Sequence, residues 1–176
     1  MRIISGKYKG RRITPPSNIS ARPTTDFAKE GLFNILNNRL DYEETHVLDL
    51  FAGTGGISFE LASRGCPSVT LVEQARTQLN FIRKTISELK IENIHVIQGD
   101  VFKYIQSCGV RFDFIFADPP YALEQLPQIP DLIFEHNLLK ENGLFILEHP
   151  SKMSFDHHQR FSEHRNYGNV NFSFFE

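Results

Sequence analysis

The stretch Val47-Leu48-Asp49-Leu50-Phe51-Ala52-Gly53-Thr54-Gly55-Gly56 decides how this chain folds. Its apolar first half, residues 47–51, predicts a buried strand, and the glycines that follow predict a tight turn that leads into a helix. In an open α/β sheet, ligands bind beyond the carboxyl ends of the strands. Glycine also lets the backbone approach a ligand closely, because no Cβ intrudes. The stretch therefore predicts both a strand of a sheet and one wall of a ligand site.

Outward from this turn, short apolar runs alternate with segments of helical periodicity. The predicted strands lie at 47–51, 68–73, 94–98, 112–118 and 144–148. The predicted helices lie at 57–64, 75–89, 101–108 and 132–139. Because strands and helices alternate, we expect an α/β fold with a doubly wound, mostly parallel sheet that is covered by helices on both faces.

The two ends of the chain depart from this alternation. Residues 2–5 and 11–14 can pair as a hairpin around a glycine-flanked turn. A helix is predicted next, with one packing face formed by Phe27, Gly31, Leu32, Ile35 and Leu36. At the other end, apolar and polar residues alternate over 170–174 after a glycine turn. This period predicts an antiparallel hairpin whose last strand is exposed to water on one side.

Length and composition fit one domain over 1–176, made of a basic hairpin with a helix over 1–40 and a catalytic core over 41–176. No apolar run approaches the roughly 20 residues needed to cross a bilayer, and no secretory signal is apparent. Cys66 and Cys108 show no metal or redox spacing, which is typical of reduced thiols. We therefore expect a cytoplasmic protein without a membrane segment.

Charge is distributed unevenly along the chain. The net charge is only -2, but the residues before Asp26 carry six basic side chains and no acidic one. The six are Arg2, Lys7, Lys9, Arg11, Arg12 and Arg22. A neutral protein with one basic end can bind a polyanion locally. A solvated hairpin edge protected by lysine explains the same pattern, so charge alone leaves both interpretations open.

Carboxylates follow three successive predicted strands. Glu73 lies at the end of the second strand, where it could accept hydrogen bonds from the hydroxyls of a ribose, and Asp100 follows the third, where it could meet an adenine amine. NAD is one candidate ligand, but Ser58 stands where the dinucleotide motif has its third glycine. Asp49 would face a pyrophosphate badly and an ammonium group well. The pattern therefore favours S-adenosylmethionine over a dinucleotide.

The turn Asp118-Pro119-Pro120-Tyr121 follows the fourth predicted strand. An exocyclic amine of a base is a poor nucleophile because its lone pair is delocalised into the ring. Asp118 and the Pro119 carbonyl could accept hydrogen bonds from its two N–H groups. The prolines would hold these acceptors in place, and Tyr121 could stack on the base. The turn therefore predicts methylation of an exocyclic amine. The alternative interpretation is a rigid surface turn.

The histidines do not indicate a metal site. His149, His157, His158 and His164 are irregularly spaced and no cysteine joins them. We expect them to lie in a solvated loop, with no metal bound.

Several stretches together resemble the class I methyltransferases and, more closely, the RsmD family of 16S ribosomal RNA (guanine-N2)-methyltransferases. The stretches are residues 2–11, residues 22–26 (Arg-Pro-Thr-Thr-Asp), residues 49–55, residues 118–121 and the pair Glu148-His149. The resemblance covers nearly the whole chain and implies a Rossmann-like fold. The sequence departs from the family at Ser58, where glycine is usual, and at Asn166, where arginine is usual before Tyr167-Gly168.

The resemblance implies a set of site residues and a substrate. The implied cofactor contacts are Asp49, Phe51, Gly53, Thr54, Gly55, Glu73, Asp100 and Val101, and the implied catalytic turn is Asp118 to Tyr121. The implied substrate is guanine N2 in small-subunit ribosomal RNA, with the six basic residues as RNA contacts. An adenine-N6 methyltransferase of DNA or RNA has a similar turn, although DNA enzymes usually carry an added recognition segment. A catalytically inactive nucleotide- or RNA-binding module is the other alternative.

Overall fold

A computed structural model describes residues 1–17, 19 and 26–176 of the chain. Its strands are β1 (His46–Leu50), β2 (Ser68–Glu73), β3 (Ile94–Gln98), β4 (Phe112–Ala117), β5 (Leu139–His149), β6 (Phe161–Tyr167) and β7 (Val170–Phe175). Its helices are α1 (Asp26–Leu36), α2 (Gly56–Ser63), α3 (Arg76–Leu89), α4 (Val101–Ser107) and α5 (Ile129–Glu135).

The strands form a seven-stranded sheet in the order β3-β2-β1-β4-β5-β7-β6. Strands β1 to β5 are parallel, and β7 pairs antiparallel with both β5 and β6. The sequence prediction of a doubly wound, mostly parallel sheet with a terminal antiparallel hairpin is therefore confirmed. The carboxyl ends of β1 to β5, together with that of β6, lie along one edge of the sheet, which we call the carboxyl edge.

Helices cover both faces of the sheet. One face, here called the hairpin face, packs against the amino-terminal residues, α1, α2 and α3, with Phe33, Phe59 and Phe172 fully buried there. The opposite face packs against α4, α5 and the segment before β6, with Phe145 and Phe175 in its core. Burial on both faces explains why the central strands are nearly continuous apolar runs.

Two sequence predictions about the last third of the chain were wrong. The helix predicted at 132–139 is α5, which begins three residues earlier, since Pro130 suits a first helical turn, and ends before Asn137, whose φ of 53° is left-handed. All six residues of β7 are buried, including Asn171 and Ser173, so neither side of this strand is wet. Polar partners on the neighbouring strands β5 and β6 make this burial possible.

The predicted packing face of α1 was partly wrong. Leu32 and Leu36 are fully buried, and Phe33, which was not in the predicted face, is buried beside them. Phe27 was expected on this face, but its side chain is 68% exposed. It lies in the first turn of α1, where Ala28 and Lys29 form the buried side of the helix instead.

The amino-terminal hairpin forms, with a short pairing. Arg2 and Arg12 make a single antiparallel bridge, and Ile3 exchanges backbone hydrogen bonds with the returning chain. A buried carboxylate fastens the hairpin to α2, because Glu60 accepts hydrogen bonds from the backbone amides of Ile4 and Ser5. Lys29 of α1 lies 3.2 Å from the same carboxylate, also buried. Within the part of the chain that the structure describes, no helix is long and apolar enough to span a bilayer.

Candidate functional site

The loop after β1 has a backbone that requires glycine. Phe51, Gly53 and Gly55 have positive φ values of 60°, 57° and 78°. A Cβ on Gly55 would lie 2.9 Å from the ring of Phe59, so a side chain there would be both strained and crowded. Phe51 adopts this conformation although it is not glycine, which is the kind of local strain that collects at functional sites. The loop thus forms an open backbone cradle at the carboxyl edge.

Asp49 is a buried carboxyl group directly beneath this loop. Its side chain is only 2% exposed and accepts a hydrogen bond of 2.5 Å from the hydroxyl of Ser58 in α2. Burial raises the pKa of Asp49 to about 7, while the hydrogen bond from Ser58 acts in the opposite direction. Near pH 7 this carboxyl group is partly ionised, and its ionised form attracts a cationic group that approaches it.

Glu73 and Asp100 end the next two strands, as the sequence predicts. The carboxylate of Glu73 accepts hydrogen bonds from three backbone amides, those of Gly53, Gln74 and Ala75, at 2.8 to 2.9 Å. A carboxylate has about four acceptor positions, so one remains for a ligand hydroxyl. Glu73 therefore also braces the glycine loop, a role that the sequence did not reveal. Asp100 caps α4 through Oδ1, which accepts from the amide of Lys103.

The other predicted cofactor contacts differ in how much surface they offer. Phe51 is half-buried and packs edge-on against the ring of Phe102, 6.1 Å away. Thr54 and Val101 are 7% and 4% exposed, so each presents little more than an edge to a ligand. Sequence reasoning missed Met1, whose sulfur lies 4.0 Å from the hydroxyl of Thr54 and covers this loop from outside.

The Asp-Pro-Pro-Tyr turn lies beside the glycine loop. Leu50 and Ala117 are neighbours in the β1–β4 pairing, and the next amide, that of Asp118, donates to the carbonyl of Leu50 at 3.3 Å. Pro119 is buried and Asp118 half-buried. The hydroxyl of Tyr121 donates to the carboxylate of Glu148 at 3.0 Å, which ties the turn to the end of β5. Glu148 is therefore a site residue, and the spacing of residues in the sequence could not reveal that it pairs with Tyr121.

The predicted RNA contacts are exposed but spread along one side of the molecule. Arg2, Lys7, Lys9, Arg11 and Arg12 are all exposed, whereas Arg22 lies outside the described residues. Arg2 and Arg12 pair near Met1, at the carboxyl edge. Lys7 and Lys9 lie in the turn that packs on Ser63 at the far end of α2. At a rise of 1.5 Å per residue, Ser63 is about 10 Å from the first residue of that helix. The structure therefore does not gather these residues around the catalytic turn.

The prediction that the histidines lie in a solvated loop was partly wrong. His149 is fully buried at the end of β5, where Nε2 lies 2.8 Å from the hydroxyl of Ser173. Burial lowers the pKa of His149 below its ordinary value, which favours the neutral ring. His157 is exposed, and His164 lies on β6. Among the described residues, no group of three or more His, Cys, Asp or Glu side chains is arranged to hold a metal ion.

Known proteins resemble this chain over most of its length. The model of the RsmD family, which is described as "Conserved hypothetical protein 95", matches residues 1–176. Ribosomal RNA small subunit methyltransferase D of Buchnera aphidicola is 34% identical over 154 residues, which is 88% of this chain and 78% of that protein. The protein of the same name from Haemophilus influenzae is 35% identical over 152 residues, covering 84% and 78%.

A solved structure shares the fold. The structure of a hypothetical protein from Thermus thermophilus superposes with a TM-score of 0.88 at 27% identity and covers 100% of this chain and 99% of that one. The motifs at the carboxyl edge, the sheet topology and the family match over all 176 residues agree. The chain belongs to the RsmD family.

Proposed function

We propose that this protein is an S-adenosylmethionine-dependent methyltransferase that modifies the N2 amine of a guanine in small-subunit ribosomal RNA. The observation that carries the proposal is the contact between the catalytic turn and the glycine loop, in which the Asp118 amide bonds to the Leu50 carbonyl. Because β1 and β4 are neighbours, a cofactor held by the loop and an amine held by the turn would lie side by side.

The residues at the carboxyl edge fit S-adenosylmethionine. Asp49 suits an ammonium group, Glu73 has one acceptor position for a ribose hydroxyl, and Asp100 caps α4 through Oδ1, which leaves Oδ2 to accept from an adenine amine. The loop offers a glycine cradle, since a Cβ on Gly53 would meet only one atom within 4 Å. When bound, this cofactor supplies an electrophilic methyl group and accepts the electron pair of the broken bond at its sulfur.

The chain's own contribution is to hold and aim the amine. In this proposal Asp118 and the Pro119 carbonyl accept hydrogen bonds from the two N–H groups of the amine. These bonds direct the lone pair of the amine toward the methyl group. Pro119 and Pro120 restrict the backbone of the turn, and the hydrogen bond to Glu148 fixes Tyr121 for stacking on the base. The amine becomes acidic only as the methyl group arrives, so no strong base is needed beforehand, and the released proton passes to the Asp118 carboxylate that already accepts from one N–H group. A paired target base would have to be flipped out of its helix.

The choice of ribosomal RNA rests on the family and on charge. The relatives from Buchnera aphidicola and Haemophilus influenzae carry small-subunit ribosomal RNA in their names. The exposed basic hairpin extends away from the catalytic turn, which suits a large RNA better than a short one. We place the activity in the cytoplasm, with an assembling or assembled small subunit as the partner.

A methyl-transfer assay tests the proposal. Purified protein is incubated with labelled S-adenosylmethionine and either small subunits, large subunits or duplex DNA, all from a strain that lacks this methyltransferase. We expect label in small-subunit RNA, and none after Asp118→Ala. Equal labelling of the three substrates, or label only in DNA, would contradict the proposal.

A further inference from the structure

An exposed aromatic ring lies at the carboxyl edge without a role in the site described above. Among the described residues, Phe27 and Val110 are the large apolar side chains that stand exposed, at 68% and 59%. Val110 precedes β4 and therefore lies at the opposite edge of the sheet. Phe27 instead packs edge-on against Tyr167, with ring centroids 5.9 Å apart.

Tyr167 is a rigid support for this ring. It is the last residue of β6, so it lies at the carboxyl edge. Its ring fills the space beside Gly31 of α1, where a Cβ would come within 2.2 Å, and its other neighbour is Phe172, 6.0 Å away. Phe27 is thus held on a fixed base while most of its surface remains open to solvent.

The ring pair lies on the same face of the sheet as the catalytic turn. Directly opposed residues of antiparallel strands point to one face, and Phe172 of β7 opposes both Glu148 of β5 and Arg165 of β6. Tyr167 follows Arg165 by two positions and shares that face. Since Glu148 holds Tyr121, the Phe27–Tyr167 pair and the catalytic turn lie on one surface. About two strand spacings, roughly 10 Å, separate Arg165 from Glu148, and Tyr167 lies two residues further along β6, so it is roughly 12 Å from Glu148.

We propose that Phe27, supported by Tyr167, is a stacking platform for a base of the RNA strand that flanks the target nucleotide. The inference rests on the proposed function, because it assumes an RNA strand bound across the catalytic turn. An aromatic ring accepts any base by stacking. The neighbouring Arg165 is 54% exposed, and its guanidinium pairs with Glu163, so the ring itself and not a free positive charge provides the contact. The platform would fix the direction in which the strand leaves the site.

Binding of RNA by a matched set of variants tests this platform. The set is Phe27→Ala, Phe27→Leu, Phe27→Tyr and the control Val110→Ala, each saturated with S-adenosylhomocysteine. Loss of a stacked base predicts about 5- to 150-fold weaker binding of small-subunit RNA for the Ala and Leu variants. The Tyr variant should bind like the wild type, and so should Val110→Ala. Melting temperatures of all four should stay close to that of the wild type, because both side chains are exposed.

The results separate this inference from the proposed function. If Phe27→Leu binds RNA as well as the wild type, or Val110→Ala loses as much, the platform is contradicted, and a protein partner becomes the better occupant of the exposed ring. Stacking tolerates any base, so the effect should also occur with an unrelated RNA. If the wild type makes no N2-methylguanosine while Phe27→Ala still loses RNA affinity, the proposed function fails and the platform stands.

Discussion

The hydroxyl of Ser58 donates a hydrogen bond of 2.5 Å to Oδ2 of Asp49, and both side chains are buried. Burial raises the pKa of Asp49 to about 7, and the Ser58 bond limits that rise. An ammonium group binds the ionised form of Asp49 better. Affinity for S-adenosylhomocysteine should therefore increase about tenfold from pH 6 to pH 8. Calorimetry across this range should give a flat profile for Asp49→Asn and a midpoint at higher pH for Ser58→Ala.

The raised pKa of Asp49 also makes the stability of the unliganded protein depend on pH. The pKa of Asp49 is above its ordinary value of 3.8, so folding favours the protonated form. Its contribution is complete below about pH 4 and is lost as the pH rises through about 7. The wild type should therefore lose stability relative to Asp49→Asn between these values in denaturant titrations. Parallel stability curves for the two proteins would show that Asp49 is not buried in this way.

Cofactor binding and catalysis should separate between Glu73 and Asp118. Glu73→Ala removes the acceptor of the Gly53 amide and of a ribose hydroxyl, so its dissociation constant for S-adenosylhomocysteine should rise about tenfold or more. Asp118→Ala should bind this ligand normally and lose about 100-fold or more in kcat. Calorimetry and single-turnover assays measure the two effects. Asp113→Ala, at the other end of β4, is the control and should retain turnover. Similar losses of binding in both site variants would contradict this division.

The order of strands and helices could be predicted from sequence because it depends on local periodicity. The carboxylates at 49, 73 and 118 could be placed at one edge for the same reason, since parallel strands end together. The contacts of Tyr121 with Glu148 and of Met1 with Thr54 join residues far apart in the chain, and no local pattern encodes them. The alternation in β7 was misleading because polar residues can be buried when polar partners from other strands satisfy them.

The buried pair between Lys29 and Glu60 should contribute strongly to stability. Lys29→Met would remove the 3.2 Å partner of the buried Glu60 carboxylate and leave Arg64, at 2.9 Å, as its cationic partner, at a cost of about 2 kcal/mol. For a chain of this size we expect a melting temperature lower by about 4 to 8 °C. Lys84→Met is the control, because the Lys84–Glu88 pair is exposed and should contribute less than about 0.5 kcal/mol. Equal melting temperatures for the two variants would contradict the importance of the buried pair.

The basic hairpin should act through phosphate contacts. Replacing Lys7, Lys9, Arg11 and Arg12 with Ala should reduce the slope of log K against log salt by about 3 for single-stranded RNA. Affinity for S-adenosylhomocysteine should not change. The control replaces Arg111 and Arg160, which are exposed and directly precede β4 and β6, outside the hairpin. If the slope stays at the wild-type value, these residues are a solvated hairpin edge.

The measurement that tests the central claim most directly is the identity of the methylated nucleoside. Small-subunit RNA methylated by the wild type is digested completely, and the products are separated and identified by mass spectrometry against standards. The acceptors Asp118 and Pro119 act on N–H groups, and the family match favours guanine, so we predict N2-methylguanosine. N6-methyladenosine would contradict the assignment to guanine, and a base methylated on a ring carbon would contradict the proposed role of the Asp-Pro-Pro-Tyr turn itself.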